Sequence, residues 1–166
     1  MVGRQEPLSV RTSVDVHNFL LERGVPHELV PVRGRIRPDS VAAVLGLPAN
    51  QVGRVSLLRG NVDGEDAVVA ALVPADREVD PSRAAGVVGA AALEEVPAEE
   101  ATDLTGFLNE AIPPGPFPSG TISVLDAALA DEEVLYFPGG EPSSVLKIRT
   151  ADLIRAVDAT VGPVAT

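Results

Sequence analysis

Few residues in this chain are of types that do chemistry by themselves. It has no cysteine, so disulfides, thiolate nucleophiles and cysteine-bound zinc are excluded together. The two histidines, His17 and His27, fall in a helical and an extended stretch and read as surface or half-buried residues rather than ligands, so no metal site is expected. There is no P-loop, no GxGxxG after a strand, no HExxH and no GxSxG. No nucleophile stands beside an evident base. The acids between Glu94 and Asp103 read as a solvated helix start. Any reaction here must rest on positioning and electrostatics. Two segments offer that: an arginine-bearing stretch, 33–59, and a proline- and glycine-rich run, 106–120.

The first holds Arg33, Arg35, Arg37, Arg54 and Arg59 against a single acid, Asp39, in a chain whose net charge is −11. An acidic body argues against long phosphate-backbone contacts and against a DNA duplex as partner. A small basic patch suits one short phosphate-bearing end, if these arginines share a face. The aromatics are Phe19, Phe107, Phe117, Phe137 and Tyr136, too few for a base-stacking platform. The second segment has four prolines and three glycines in fifteen positions, which rules out regular structure. It is too apolar for a solvated linker. A stiff apolar loop of that length inside a domain is usually functional, and we read it as a pocket wall.

The elements that must position these segments follow from periodicity and punctuation. Residues 13–23 read as a helix, with Ser13 as N-cap and Gly24 as its stop. His27–Val32 is extended. Pro38-Asp39 opens a short helix whose inner face is Val41, Ala42, Val44 and Leu45. The clearest strand pair is 53–59 with 67–73, joined through Asn61–Asp66, where Gly64 can take positive φ. Ala67–Val73 is apolar throughout, as befits a strand central in its sheet. Helices follow from Asp80-Pro81 and from Pro97, with a short strand at 91–96 between them. Ile122–Leu125 is a strand leading to Asp126. Val134–Phe137 and Val145–Ile148 form a second hairpin. Thr150 caps a last helix, and the tail after Thr160 reads as frayed.

Interleaved helices and strands with two hairpins call for a mixed α/β (α+β) fold, a mixed β-sheet flanked by helices. The chain length suits a single domain, 1–166, with its core at 14–157 and frayed ends. Met1–Arg11 has no apolar signal-peptide core, and no apolar run approaches the roughly 18 residues a membrane helix needs. A cytoplasmic protein with no membrane contact is the expectation.

The order of motifs resembles the YbaK/prolyl-tRNA-synthetase-associated family of aminoacyl-tRNA editing domains. A first helix ends in a Gly-Val-Pro turn at Gly24-Val25-Pro26. Ala43-Val44-Leu45-Gly46-Leu47-Pro48 matches the family's next helix end. A strand entered through a basic residue follows at Gln51–Leu57, then Leu72–Asp80. Thr105-Gly106-Phe107 precedes the loop at Ala111-Ile112-Pro113-Pro114-Gly115. Asp126, Phe137-Pro138-Gly139-Gly140 and Asp152-Leu153 close the series, which covers residues 14–157. The resemblance implies a strongly curved mixed sheet. It implies hydrolysis of the ester of mischarged tRNA in trans, without a cofactor, and the tRNA acceptor end as partner. A homodimer is compatible with it.

Carried over residue by residue, the resemblance makes Arg54 the counterpart of a family lysine at the acceptor end, the catalytic position. Gly106, Phe107, Ala111, Ile112 and Pro113 then form the amino-acid pocket, and Asp126 supports it or faces the substrate amino group. Two departures stand out: arginine replaces the lysine, and Glu110-Ala111 stands where the family often has paired glycines. A non-catalytic relative that binds a small molecule, an RNA end or a protein is the alternative. A structural interaction module of a larger complex is the third reading.

Overall fold

The computed structural model describes residues 10–166. The expected absence of a signal segment and a frayed N-terminus concern residues that lie, apart from Val10 and Arg11, outside the described ones. Helix α1, Ser13–Glu22, opens on Thr12 rather than Ser13. The Thr12 hydroxyl accepts the Val14 N–H, and the Asp15 carboxylate accepts the Thr12 N–H at 2.8 Å. This reciprocal capping box needs the acid three residues on, which Thr12 has and Ser13 lacks. Strand β1, His27–Pro31, follows. A 3₁₀ turn at Pro38–Ser40 leads into α2, Val41–Leu45, which ends on left-handed Gly46. Val41 is buried, but Val44 is 61 % exposed and does not belong to the inner face. One helical turn and a half has room for a narrow apolar stripe only.

The centre of the molecule is a long hairpin. Strands β2, Gly53–Val62, and β3, Glu65–Pro74, pair antiparallel residue for residue. Only Asp63 and Gly64 form the turn, with φ of 53° and 85°. Two successive left-handed residues match the right-handed twist of the strands. Helix α3, Pro81–Val88, is capped by the Asp80 side chain. Strand β4, Ala90–Glu95, returns to pair with β2. Helix α4, Ala98–Thr105, precedes the irregular loop. Strand β5, Ile122–Asp126, lies parallel to β3, followed by the single turn α5, Ala127–Ala130.

Strands β6, Val134–Pro138, and β7, Ser144–Arg149, form the second hairpin, and β1 adds to β7. Helix α6, Thr150–Val157, begins on Arg149 without a side-chain cap. The Thr150 hydroxyl donates instead to the Glu132 carbonyl, so its role is to tie α6 to the preceding turn. The segment after Thr160 is ordered, contrary to the sequence reading. Thr160–Gly162 is a strand, β8, parallel to β5, and Val164 and Ala165 are buried.

The architecture is therefore mixed α/β. A five-stranded mixed sheet has the order β4-β2-β3-β5-β8, beside a three-stranded antiparallel sheet, β1-β7-β6. A parallel bridge between Val52 and Tyr136 joins the two at the start of β2. The larger sheet is buried on both faces. Leu57, Ala70, Leu72 and Leu125 pack under Phe107, Phe137, α1 and α6. Leu58, Val69, Ala71, Val73 and Val124 pack against α3 and Val164. That is why β3 is apolar at every position in its second half.

Candidate functional site

Where the two sheets meet, β2 begins against the ring of Phe137. A Cβ on Gly53 would lie 2.5 Å from that ring, so glycine is the residue that lets the strand enter so closely. The next residue, Arg54, is thereby set at the mouth of a cleft. Its side chain is 23 % exposed. Nη1 donates to the Ser56 hydroxyl at 2.9 Å, and Nη2 donates to the Arg77 carbonyl at 2.6 Å and the Glu78 carboxylate at 3.2 Å. Among the described residues, Nε and the second Nη1 hydrogen have no protein acceptor. The guanidinium is thus fixed in place with donors left over, an arrangement suited to an incoming oxyanion.

The cleft is a cavity of about 340 Å³ whose walls include Arg37, Asp39, Arg54, Glu78, Asn109 and Glu110. Val55, Ile112, Ala75 and Pro138 form apolar parts of the lining. A second cavity, about 210 Å³, has Arg54, Val55, Asn109 and Ile112 in common with the first. Leu57, Val96, Ala98 and Ala101 line it further. The two hollows adjoin, Ser56 and Glu95 add polar groups to the smaller one, and Arg54 stands at their junction. An ion pair between Arg35 and Glu110 links the loop after β1 to the loop after α4. A larger hollow, about 660 Å³, lies at the tip of the long hairpin. Its arginine, Arg59, is engaged by two carboxylates, Glu94 and Glu100, whereas Arg54 in the smaller cleft meets one, Glu78.

Of the residues singled out in the sequence, Arg54 and Ile112 meet in this cleft. Ala111 and Pro113, on either side of Ile112, are buried and do not line it. Gly106 is the left-handed residue that ends α4, and its open side faces the Arg11 side chain. Phe107 is fully buried, under the Arg11 guanidinium at 5.7 Å from the ring centre. Its position is that of a core ring. Asp126 is also buried away from the cleft. It accepts the N–H groups of Ala128, Val164 and Ala165 at 3.1, 2.9 and 2.9 Å. The sequence reading did not place Asn109, Glu78 or Asp39 in the site, and took Glu110 only as a departure from the family loop. Asn109 and Glu110 were legible as the polar pair inside an otherwise apolar loop; Glu78 and Asp39 carried no local signal.

The sequence profile of the aminoacyl-tRNA editing domain matches residues 37–156, from the cleft wall into α6. The chain belongs to that family. No curated protein matches this editing domain in sequence. Among solved structures it is similar to a hypothetical protein at 23% identity and TM-score 0.82, over 92% of this chain and 99% of that one. It is similar to a protein proposed to be a trans-editing enzyme for prolyl-tRNA synthetase, at 21% identity and TM-score 0.80, over 98% and 99% of the two chains. A third likeness is to a protein from Marinobacter aquaeolei proposed to act in signal transduction. There the identity is 16% and the TM-score 0.62, and this chain spans 31% of that one. At these identities the likeness is one of fold. Among the described residues, no helix is long and apolar enough to cross a membrane.

Proposed function

We propose that this editing domain hydrolyses the ester of mischarged aminoacyl-tRNA in trans. The observation that carries the reading is the shared cleft: Arg54, Asn109, Glu110 and Ile112 wall one hollow in a chain of the editing family. The hollow walled by Arg37 and Glu78 suits the terminal nucleotide and its phosphate, with the free donors of Arg54 on a phosphate oxygen. The smaller hollow, where Leu57, Val96, Ala98 and Ala101 stand beside Ser56 and Glu95, suits a small aminoacyl group. Water adds its oxygen to the acyl carbon, the bond from that carbon to the ribose oxygen breaks, and the ribose oxygen leaves with a proton derived from water. An aminoacyl ester is already activated, so fixing it beside a water molecule in the smaller hollow removes much of the entropic barrier. In this reading Phe107 is a core ring and Asp126 lies outside the cleft.

The test is release of amino acid from a panel of mischarged tRNAs, with Arg54→Ala as control. Turnover of at least one member, lost in the variant, supports the proposal; no turnover of any at micromolar enzyme rejects it. One observation favours the second reading, a binding-only relative. Two internal acceptors and one carboxylate already hold Arg54, where the family has a lysine. Acceptor-end binding without turnover would support that alternative.

A further inference from the structure

Asp126 is a buried acid that the cleft does not use, and it lies at the head of a continuous run of contacts that ends on Arg54. One carboxylate oxygen accepts the Val164 and Ala165 N–H groups, and the other accepts the Ala128 N–H. Residues 164–166 in turn line up against the loop after β3. The Asp80 N–H donates to the Val164 carbonyl at 2.7 Å, and Val79 and Ala165 form an antiparallel bridge. The Thr166 N–H donates to the Glu78 carbonyl at 2.9 Å. Arg83 adds a bond to the Ala165 carbonyl at 2.6 Å. That loop then presents the Arg77 carbonyl and the Glu78 carboxylate, which hold the Arg54 guanidinium.

We propose that the segment Val164–Thr166, anchored on Asp126, is a positioning element that sets the orientation of Arg54 through the Arg77–Glu78 backbone. The physical ground is that a turn of a few residues has little stiffness of its own. This one is held from one side by the Ala75 N–H on the Val52 carbonyl and by the Arg77 N–H on the Pro74 carbonyl. From the other side it is held by the 164–166 segment. Remove the second support and the Arg77 carbonyl is free to move by a fraction of an ångström. A forked, planar donor registers such a shift because its bonds depend on direction as well as distance. Asp126 acts through other residues and never touches substrate.

The inference rests on the deacylase reading only in its kinetic arm, so it is tested in two ways. Thr166→Pro removes both the N–H and the hydroxyl that meet the Glu78 carbonyl and touches no core side chain; Thr166→Ala removes the hydroxyl bond alone. Asp126→Asn keeps an acceptor for Val164 and Ala165; Asp126→Ala keeps none. The first readout is NMR of the Arg54 guanidinium in the full chain, which needs no substrate. Slowed Nη exchange in the parent and in Thr166→Ala, lost in Thr166→Pro, is the expected result. Unchanged Arg54 signals in a folded Thr166→Pro protein overturn the proposal, whether or not Asp126→Ala folds. The second readout is deacylation. A fall in kcat of about tenfold, with KM nearly unchanged, is expected for Thr166→Pro, since small misplacements of a positioned group cost rate. Asp126→Asn should stay near the parent. If the parent turns over no mischarged tRNA, the deacylase reading falls while the NMR result still decides this one. A rate loss in Thr166→Pro with Arg54 signals intact also overturns it.

Discussion

Strand β2 carries an arginine near each end, and the two ends differ in what surrounds the charge. Arg59 lies between Glu94 and Glu100. Its pKa is held above the ordinary arginine value by the hydrogen bond to Glu100 and that carboxylate's charge, opposed by some desolvation and assisted by Glu94. Arg54 is bound to a hydroxyl, a carbonyl and one carboxylate, Glu78, whose side chain is 80 % exposed. Two carboxylates face the one cation; a single, largely exposed carboxylate faces the other, whose remaining bonds go to neutral acceptors. The two ends of one strand thus hold their arginines differently. Each arginine also follows or precedes a glycine whose Cβ position is blocked. For Gly53 the obstacle is the Phe137 ring, and for Gly60 it is the Ala92 carbonyl, each at 2.5 Å.

The comparison can be broken most decisively at Arg54. Arg54→Ala should lower kcat/KM for deacylation by about 10²-fold or more, the scale for losing one preorganised electrostatic contact. Ester loss from labelled tRNA measures it, and a residual rate within threefold of the parent would remove the distinction between the two ends. Next in size are the glycines. Gly53→Ala and Gly60→Ala should each cost about 1–3 kcal/mol by urea denaturation, because a methyl must displace packed atoms. Gly53→Ala should also reduce activity, since it shifts the strand at Arg54, while Gly60→Ala should leave the activity of the folded protein intact.

Smaller effects sharpen the contrast. Glu78→Gln removes the one carboxylate on Arg54 but keeps a polar group of the same shape. KM for an anionic acceptor end should fall by about threefold at low salt, and the gain should fade as ionic strength rises. A rise in KM would mean that Glu78 contacts substrate itself. Arg59→Gln should change the deacylation rate least, within about twofold, as expected of a surface ion pair far from the reacting atoms. If Arg59→Gln proved as damaging as Arg54→Ala, the hollow at the hairpin tip would have to be considered as the site.

Much of the fold was legible because its signals are local. Asp63-Gly64 supplies two left-handed residues in succession, Asp80-Pro81 a cap and a first turn, and the unbroken apolar run of β3 its central place. The errors have two causes, a local signal weighed wrongly in the first and long-range contacts in the others. Thr12 outcompetes Ser13 because of an acid at the right spacing. Thr150 gives its hydroxyl to a carbonyl eighteen residues away instead of to its own helix. The tail is ordered by Asp126, Asp80 and Glu78, all distant in sequence. A local reading weighs a residue's neighbours along the chain, while a buried donor takes whichever acceptor the fold brings to it.

The site divides in the same way. Residue types and order alone were enough to make this an α/β editing domain, to set Arg54 at a strand entrance and to mark 106–120 as a stiff loop, because these follow from backbone restrictions and short-range pattern. Which members of that loop face the cleft was decided only in three dimensions. Phe107 and Ala111 turned into the core, while Asn109, Glu110 and Ile112 reached the cavity. In an irregular loop no repeat governs which way successive side chains point. Their directions are set by the packing of β2, α4 and the Phe137 ring around them, an arrangement that exists only once the two sheets have met.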